Sequence, residues 1–166
     1  MTKPNPANPT LSISRPDLAS ALEQIGAEIE HQPLRSSALA RIMRETFHGS
    51  DAGGTWDWRM AYDLMQATAV QALLRGDNSE DDYYAAKLLA SRLLTETRRS
   101  EQQIRLQQFS TPLPFAALTV RAAAIRKGET VLEPSAGTGA PAAFAARAGA
   151  TLLLNEIDPF RQHLLR

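Results

Sequence analysis

The sequence predicts an α/β chain in two parts, a helical unit over residues 14–106 and, from residue 107 to 166, the first strand-helix-strand portion of a parallel sheet. Three observations predict it. Four amphipathic helical patterns follow one another with short connections before residue 107. Two short apolar runs, Thr130-Val131-Leu132 and Thr151 to Asn155, then flank an Ala-rich helical stretch. Between the first run and that stretch lies a glycine-containing loop, so the order is strand, loop, helix, strand, which calls for parallel strands and a right-handed crossover.

Residues 1–13 carry Pro4, Pro6 and Pro9 among small polar residues, too little apolar surface to offset the entropy of ordering, so a flexible tail is expected. Ser14, Arg15, Pro16 and Asp17 mark a helix start, and Leu18, Leu22, Ile25 and Ile29 recur at helical spacing to about Glu30. Ser36 or Ser37 is the expected cap of a second helix with Leu39, Ile42, Met43 and Phe47 on its apolar face and Gly49 past its end. A third helix is expected from Trp56 to Arg75, closing on Gly76. A fourth starts at a Ser79 cap with Glu80, Asp81 and Asp82 in the first turn, where the helix dipole favours carboxylates, and has Arg98 and Arg99 near its far end. Beyond Thr111 and Pro112 an Ala-rich helix runs toward Gly128, then come the first strand, the loop, a second Ala-rich helix, the second strand, and a helix starting near Pro159.

Composition narrows the chemistry. The 166 residues are 43% hydrophobic and 22% charged, ordinary for a folded chain. Eighteen basic residues balance eighteen acidic ones, so no net field draws the chain to nucleic acid, and any such contact must be local. Without cysteine there is no disulfide, thiolate metal site or thiol nucleophile, and His31, His48 and His163 are too scattered to suggest a metal cluster, so no metal is expected. No leader-like or membrane-spanning run is present, and a cytoplasmic location without membrane contact is the expectation. Trp56, Trp58 and Tyr62 read as packing residues rather than base-stacking ones, because no basic stripe accompanies them. Arg98, Arg99 and Arg105 read equally well as a solvated helix end or as phosphate contacts.

The candidate site begins at Glu133-Pro134-Ser135-Ala136-Gly137-Thr138-Gly139, directly after the first strand. Glycines there let backbone approach a ligand, and the next helix points free N–H groups forward. A phosphate-cradling loop of the Walker type would need Lys after Gly139, where Ala140 stands. A dinucleotide fingerprint is partly matched by Gly137, Gly139 and Ala142, but the insertion before Gly137 is long for its tight turn. A third reading is an S-adenosylmethionine loop. Glu156, after the second strand, stands where a carboxylate can accept both ribose hydroxyls of a nucleoside, with Ile157 next to it for an adenine face.

Phe109-Ser110-Thr111-Pro112, then Val131 to Gly139, then Asn155-Glu156-Ile157-Asp158-Pro159 together resemble the amino-terminal half of an adenine-specific class I DNA methyltransferase. Upstream, Phe47 to Trp58 and Thr97 to Ser100 resemble the start of bacterial proteins, often carried on plasmids, that join such a methyltransferase to a strawberry-notch-like helicase. The resemblance covers roughly residues 15–166. It implies a Rossmann-like fold, here a truncated parallel sheet, and S-adenosyl-L-methionine as cofactor. It implies that Phe109, Ser110, Thr111 and Pro112 lie along the methionine end, that Glu133, Pro134, Ser135, Ala136, Gly137 and Gly139 hold the rest of that end, and that Glu156 and Ile157 take the nucleoside.

The family's Asn/Asp-Pro-Pro-Tyr/Phe segment, the acidic residue after its third strand and all helicase motifs are missing from the sequence. No catalytic residue is therefore expected. The expected partners are DNA, reached through a parent protein, the methyltransferase and helicase remainder, and another copy pairing through the open sheet edge. Two other readings stay open: a helical interaction module with a vestigial cofactor half, and a fragment of an NAD-type dinucleotide-binding protein.

Overall fold

A computed structural model of the chain describes residues 15–76, 81–97 and 109–166. The expected tail, the Ser79 cap with Glu80, and the arginines at 98, 99 and 105 lie outside the described residues, as does the junction near residue 106. Among the described residues there are seven helices and one sheet: α1 (Arg15–His31), α2 (Ser36–Thr46), α3 (Trp58–Arg75), α4 (Asp82–Ala90), α5 (Leu113–Ala122), β1 (Thr130–Glu133), α6 (Ala140–Arg147), β2 (Thr151–Leu154) and α7 (Pro159–Leu164). The chain is mixed α/β, and β1 and β2 pair in parallel, with Leu132 opposite Leu153 and Glu133 opposite Leu154.

α3 is the central element. It is buried on nearly every side between Met60 and Leu73, as an apolar helix enclosed by others must be. Its first half packs with α1 and α2 around Ile25, Ile29, Leu39, Ile42, Leu64 and Met65, and Phe160 and Leu164 of α7 lie against the same cluster. Its second half, Ala69, Val70 and Leu73, packs with Leu113 and Ala116 of α5 and with Ala140 and Phe144 of α6. The strand-helix-strand portion thus shares both of its cores with the helical portion.

Several helix ends differ from the sequence expectation. Neither Ser36 nor Ser37 caps α2; both lie inside the helix, and the cap residue is Arg35, which makes no side-chain cap bond. The left-handed residue after α2 is His48 (φ 54°), not Gly49, whose N–H donates to the Arg44 carbonyl. That is a Schellman closure. Gly49 is needed for another reason: a Cβ there would stand 2.1 Å from Thr55 Oγ1. α3 starts two positions later than expected because Asp57 is its cap, accepting from the Met60 N–H at 2.7 Å, which leaves Trp56 outside the helix but buried. Trp56 meets Trp58 edge to face and Trp58 meets Tyr62 at a tilt, each pair with ring centroids 5.7 Å apart. Asp81 is the cap of α4 rather than a first-turn residue, accepting from the Tyr83 N–H, and α4 ends at Ala90, well short of Arg98. α5 stops at Ala122, before Gly128, where Ala124 turns to a φ of 51°.

Parallel strands are ordinarily buried on both faces, but Leu132 is 66% exposed and Leu153 55% exposed, because α6 packs against the strand pair from one side, on β2, and nothing described covers the other face. No helix among the described residues is long and apolar enough to cross a membrane.

Candidate functional site

Because the strands are parallel, both connections that leave their carboxyl ends lie side by side, the position at which open α/β sheets bind ligands. The loop after β1 turns through Gly137 (φ 57°) and Gly139 (φ 94°), conformations that side chains resist. Pro141 in the first turn of α6 then sets the helix direction. The loop is stitched to the segment after β2. Asn155 donates from its backbone to the Glu133 carbonyl and from its side chain to the Pro134 carbonyl, each at 2.9 Å, and accepts from the Ala136 N–H at 2.9 Å.

Glu156 is buried, 8% exposed, and its carboxylate bridges the two connections. Oε2 accepts from the Gly137 N–H at 2.7 Å, and Oε1 accepts from the Asp158 N–H at 2.8 Å. Each oxygen keeps one further lone pair. The second strand ends at Leu154, so Glu156 stands two residues beyond it. Ile157 projects outward, 75% exposed. Glu133 accepts from the Ser135 N–H, Ser135 is exposed, and Ala136 is buried under the loop.

The structure therefore brings together Glu133, Pro134, Ser135, Ala136, Gly137, Gly139, Glu156 and Ile157. Phe109, Ser110 and Pro112 instead line a cleft of about 320 Å³ with Gln66, Leu94 and Glu96, and Thr111 is exposed beside it. The two groups are joined through Leu113, which shares an apolar cluster with Ala140 at the start of α6. Ser110 Oγ is buried with no hydrogen-bond partner among the described residues.

Sequence reasoning missed the charged cluster behind the loop. Arg161 of α7 donates from Nε and Nη2 to Asp63 Oδ1 of α3, at 2.9 and 2.7 Å, with both side chains buried. Arg59, one turn before Asp63, pairs with Asp158, whose other oxygen caps α7 by accepting from the Phe160 and Arg161 N–H groups. Burial pushes the Asp63 carboxyl above its ordinary value although Arg161 and Arg59 oppose it. Burial also pushes at Asp158, but there the Arg59 and backbone hydrogen bonds win and hold it below the ordinary range. Burial alone would weaken the charge on Arg161; Asp63, with Glu156 and Asp158, more than reverses that. The one signal in the sequence was a carboxylate within an apolar run, Asp63 between Tyr62 and Leu64-Met65.

No family model matches the chain, and no curated protein or solved structure matches it either.

Proposed function

We propose that the chain is the S-adenosylmethionine-binding amino-terminal portion of a Rossmann-like adenine-N6 DNA methyltransferase, of the kind joined to a strawberry-notch-like helicase. The observation that carries this reading is the Glu156 bridge: a carboxylate beyond the second parallel strand, bonded to the glycine loop beyond the first, beside an outward-facing Ile157. The residues fit the cofactor. Glu156 retains two lone pairs for ribose hydroxyls, Ile157 offers an apolar face to adenine, the left-handed turns at Gly137 and Gly139 shape the loop, and the orphaned Ser110 hydroxyl is a donor for a polar group near the methionine end. Bound there, the cofactor supplies an electrophilic methyl group. The residues of this chain bind and orient it, while the groups that hold the target adenine belong to the remainder of the parent protein, as does contact with DNA. The uncovered face and edge of the β1-β2 pair are where that remainder, or a second copy, completes the sheet.

Calorimetric titration of the chain with S-adenosylmethionine, S-adenosylhomocysteine and NAD tests this. Saturable binding of the first two and none of the third is expected. Binding of NAD alone, or of none of the three at millimolar concentration, overturns the reading. The chain by itself transfers no methyl group, because the elements that position the target amine contribute much of the rate through proximity; labelled methyl incorporation into DNA above background would contradict that.

A further inference from the structure

The loop that the preceding reading places on the nucleoside is held from behind by the helical portion of the chain. Glu156 is fixed by two backbone donors, Gly137 and Asp158. Asp158 is in turn the first residue of α7's cap, and α7 is tied to α3 at two points, Arg59 to Asp158 and Arg161 to Asp63. A Cβ built on Gly137 would stand 3.9 Å from Arg161 Nη1, so the guanidinium lies directly beneath the glycine loop. All four charged residues are largely or fully buried, and Arg161 is buried to 3% exposure.

We infer that Asp63 and Arg161, with Arg59, are positioning residues for the nucleoside carboxylate: α3 sets where α7 begins, which sets the Asp158 N–H, which fixes the orientation of Glu156 against Gly137. The inference rests on the proposed cofactor site for its ligand, but its mechanical content does not. A buried ion pair is a poor way to gain stability, since its desolvation offsets its attraction and well-packed apolar residues usually serve as well. Its geometric demand is the better reason for its presence. Two donors on one carboxylate oxygen fix α7 in direction as well as in distance, which apolar packing does not do.

The test uses the full chain and the double variant Asp63→Leu/Arg161→Leu, which removes both charges while keeping an apolar fill, beside the single variant Arg161→Lys. The double variant is expected to remain folded by circular dichroism and thermal melting. Hydrogen exchange at the Gly137 amide is expected to speed up by about tenfold, its amide resonance to move from its charge-assisted position, and S-adenosylmethionine affinity to fall by about tenfold, as for misplacement of a binding group. A purely structural pair predicts an unchanged Gly137 amide and unchanged affinity in a folded double variant, and that result overturns the inference. If the unmodified chain binds no S-adenosylmethionine, the cofactor reading fails while the Gly137 exchange rate and resonance still decide the positioning role. If the double variant does not fold, the same two amide readouts in Arg161→Lys decide it, since there the charge is kept and the paired Nε and Nη2 donors are lost.

Discussion

Arg161 and Asp63 meet across 98 residues of chain, with Arg161 donating twice to the single oxygen Oδ1. Among the described residues the other oxygen, Oδ2, has only Arg59 Nε at 3.9 Å, too far for a hydrogen bond. The cluster of Arg59, Asp63, Asp158 and Arg161 is thus asymmetric: Asp158 is fully hydrogen-bonded and Asp63 is half so. That asymmetry gives the two carboxylates opposite pH behaviour.

Asp158 has its folded-state pKa held down. An acid of this kind stabilises the fold above its unfolded value and loses the contribution as pH falls through the folded value. Asp63 has its folded-state pKa raised by burial, so its contribution is complete below the unfolded value and shrinks as pH rises through the folded one. The stability gap between the unmodified chain and Asp158→Asn is therefore greatest at neutral pH and closes below about pH 4, the ordinary range of an aspartate. For Asp63→Asn the gap narrows as pH rises. Urea unfolding at neutral and acid pH measures both, and gaps that do not change with pH would disprove the assignment.

Arg147 ends α6 and reaches back to two other elements. It donates to Asp82 Oδ1 at 2.7 Å, to the Leu73 carbonyl at 2.7 Å and to the Gly76 carbonyl at 3.2 Å. The last carbonyls of α3 have no partners within their helix, and a cation there answers both their hydrogen-bonding need and the dipole. Replacing Arg147 with Met keeps most of the stem packing and removes these bonds, so a loss of about 2–3 kcal/mol is expected, with α4 loosened relative to α3. Denaturant unfolding gives the first quantity, and faster amide exchange at Tyr83 and Ala85 the second. A variant as stable as the parent would show that the Arg147 bonds contribute nothing net.

The elements were legible in the sequence where periodicity governed them. The apolar stripes of α1 and α2, the parallel strand order and the glycine loop all follow from spacing and from glycine's conformational freedom. Caps were less so. Trp56 is the expected start before Asp57, and Ser79 the expected cap before Asp81, but the caps are the residues whose carboxylates accept from an early helix N–H, a choice that depends on the chain's path into the helix. Gly49 stands just past α2, in the position glycine favours, but its constraint is the approach of Thr55, a contact that no local pattern records. Of the site, the loop and Glu156 were visible as residues at strand ends. The Arg59, Asp63 and Arg161 cluster was not, because Arg59 and Asp63 at i, i+4 look like any surface pair on a helix. Only the packing of α7 on α3 buries them.

Glu156→Ala leaves the Gly137 and Asp158 N–H groups without their acceptor and takes two acceptor oxygens from the nucleoside position. Removing a buried, charge-assisted acceptor costs on the order of 1.5–3 kcal/mol per bond, so both the folding midpoint and S-adenosylmethionine affinity should drop. Glu156→Gln separates the two effects: it keeps the shape and an acceptor for one backbone donor, and should recover stability more than affinity. Calorimetry on both variants checks this. Affinity in Glu156→Ala equal to that of the parent would remove Glu156 from the ligand.

The strand pair should be the least protected part of the structure. Leu132 and Leu153 lie directly opposite each other across the parallel pair, on the face that α6 does not cover, and both are more than half exposed. A parallel pair with one open face and open outer edges lacks the burial that normally keeps water from its ladder, and opening it exposes little further apolar surface. The helices differ, since opening α3 would uncover Leu64, Met65 and Thr68, all fully buried. Amide exchange at Val131, Leu132, Leu153 and Leu154 is thus expected to be faster than at Leu64 or Met65 by about a hundredfold or more, a gap of roughly 3 kcal/mol in opening free energy. If another strand or a second copy covers the open face, those strand amides should slow as protein concentration or the added segment increases, while α3 is unaffected. Equal, slow exchange in strands and helices of a demonstrated monomer would show that two strands and one covering helix already make a closed unit, and that the open sheet face is no sign of a missing partner.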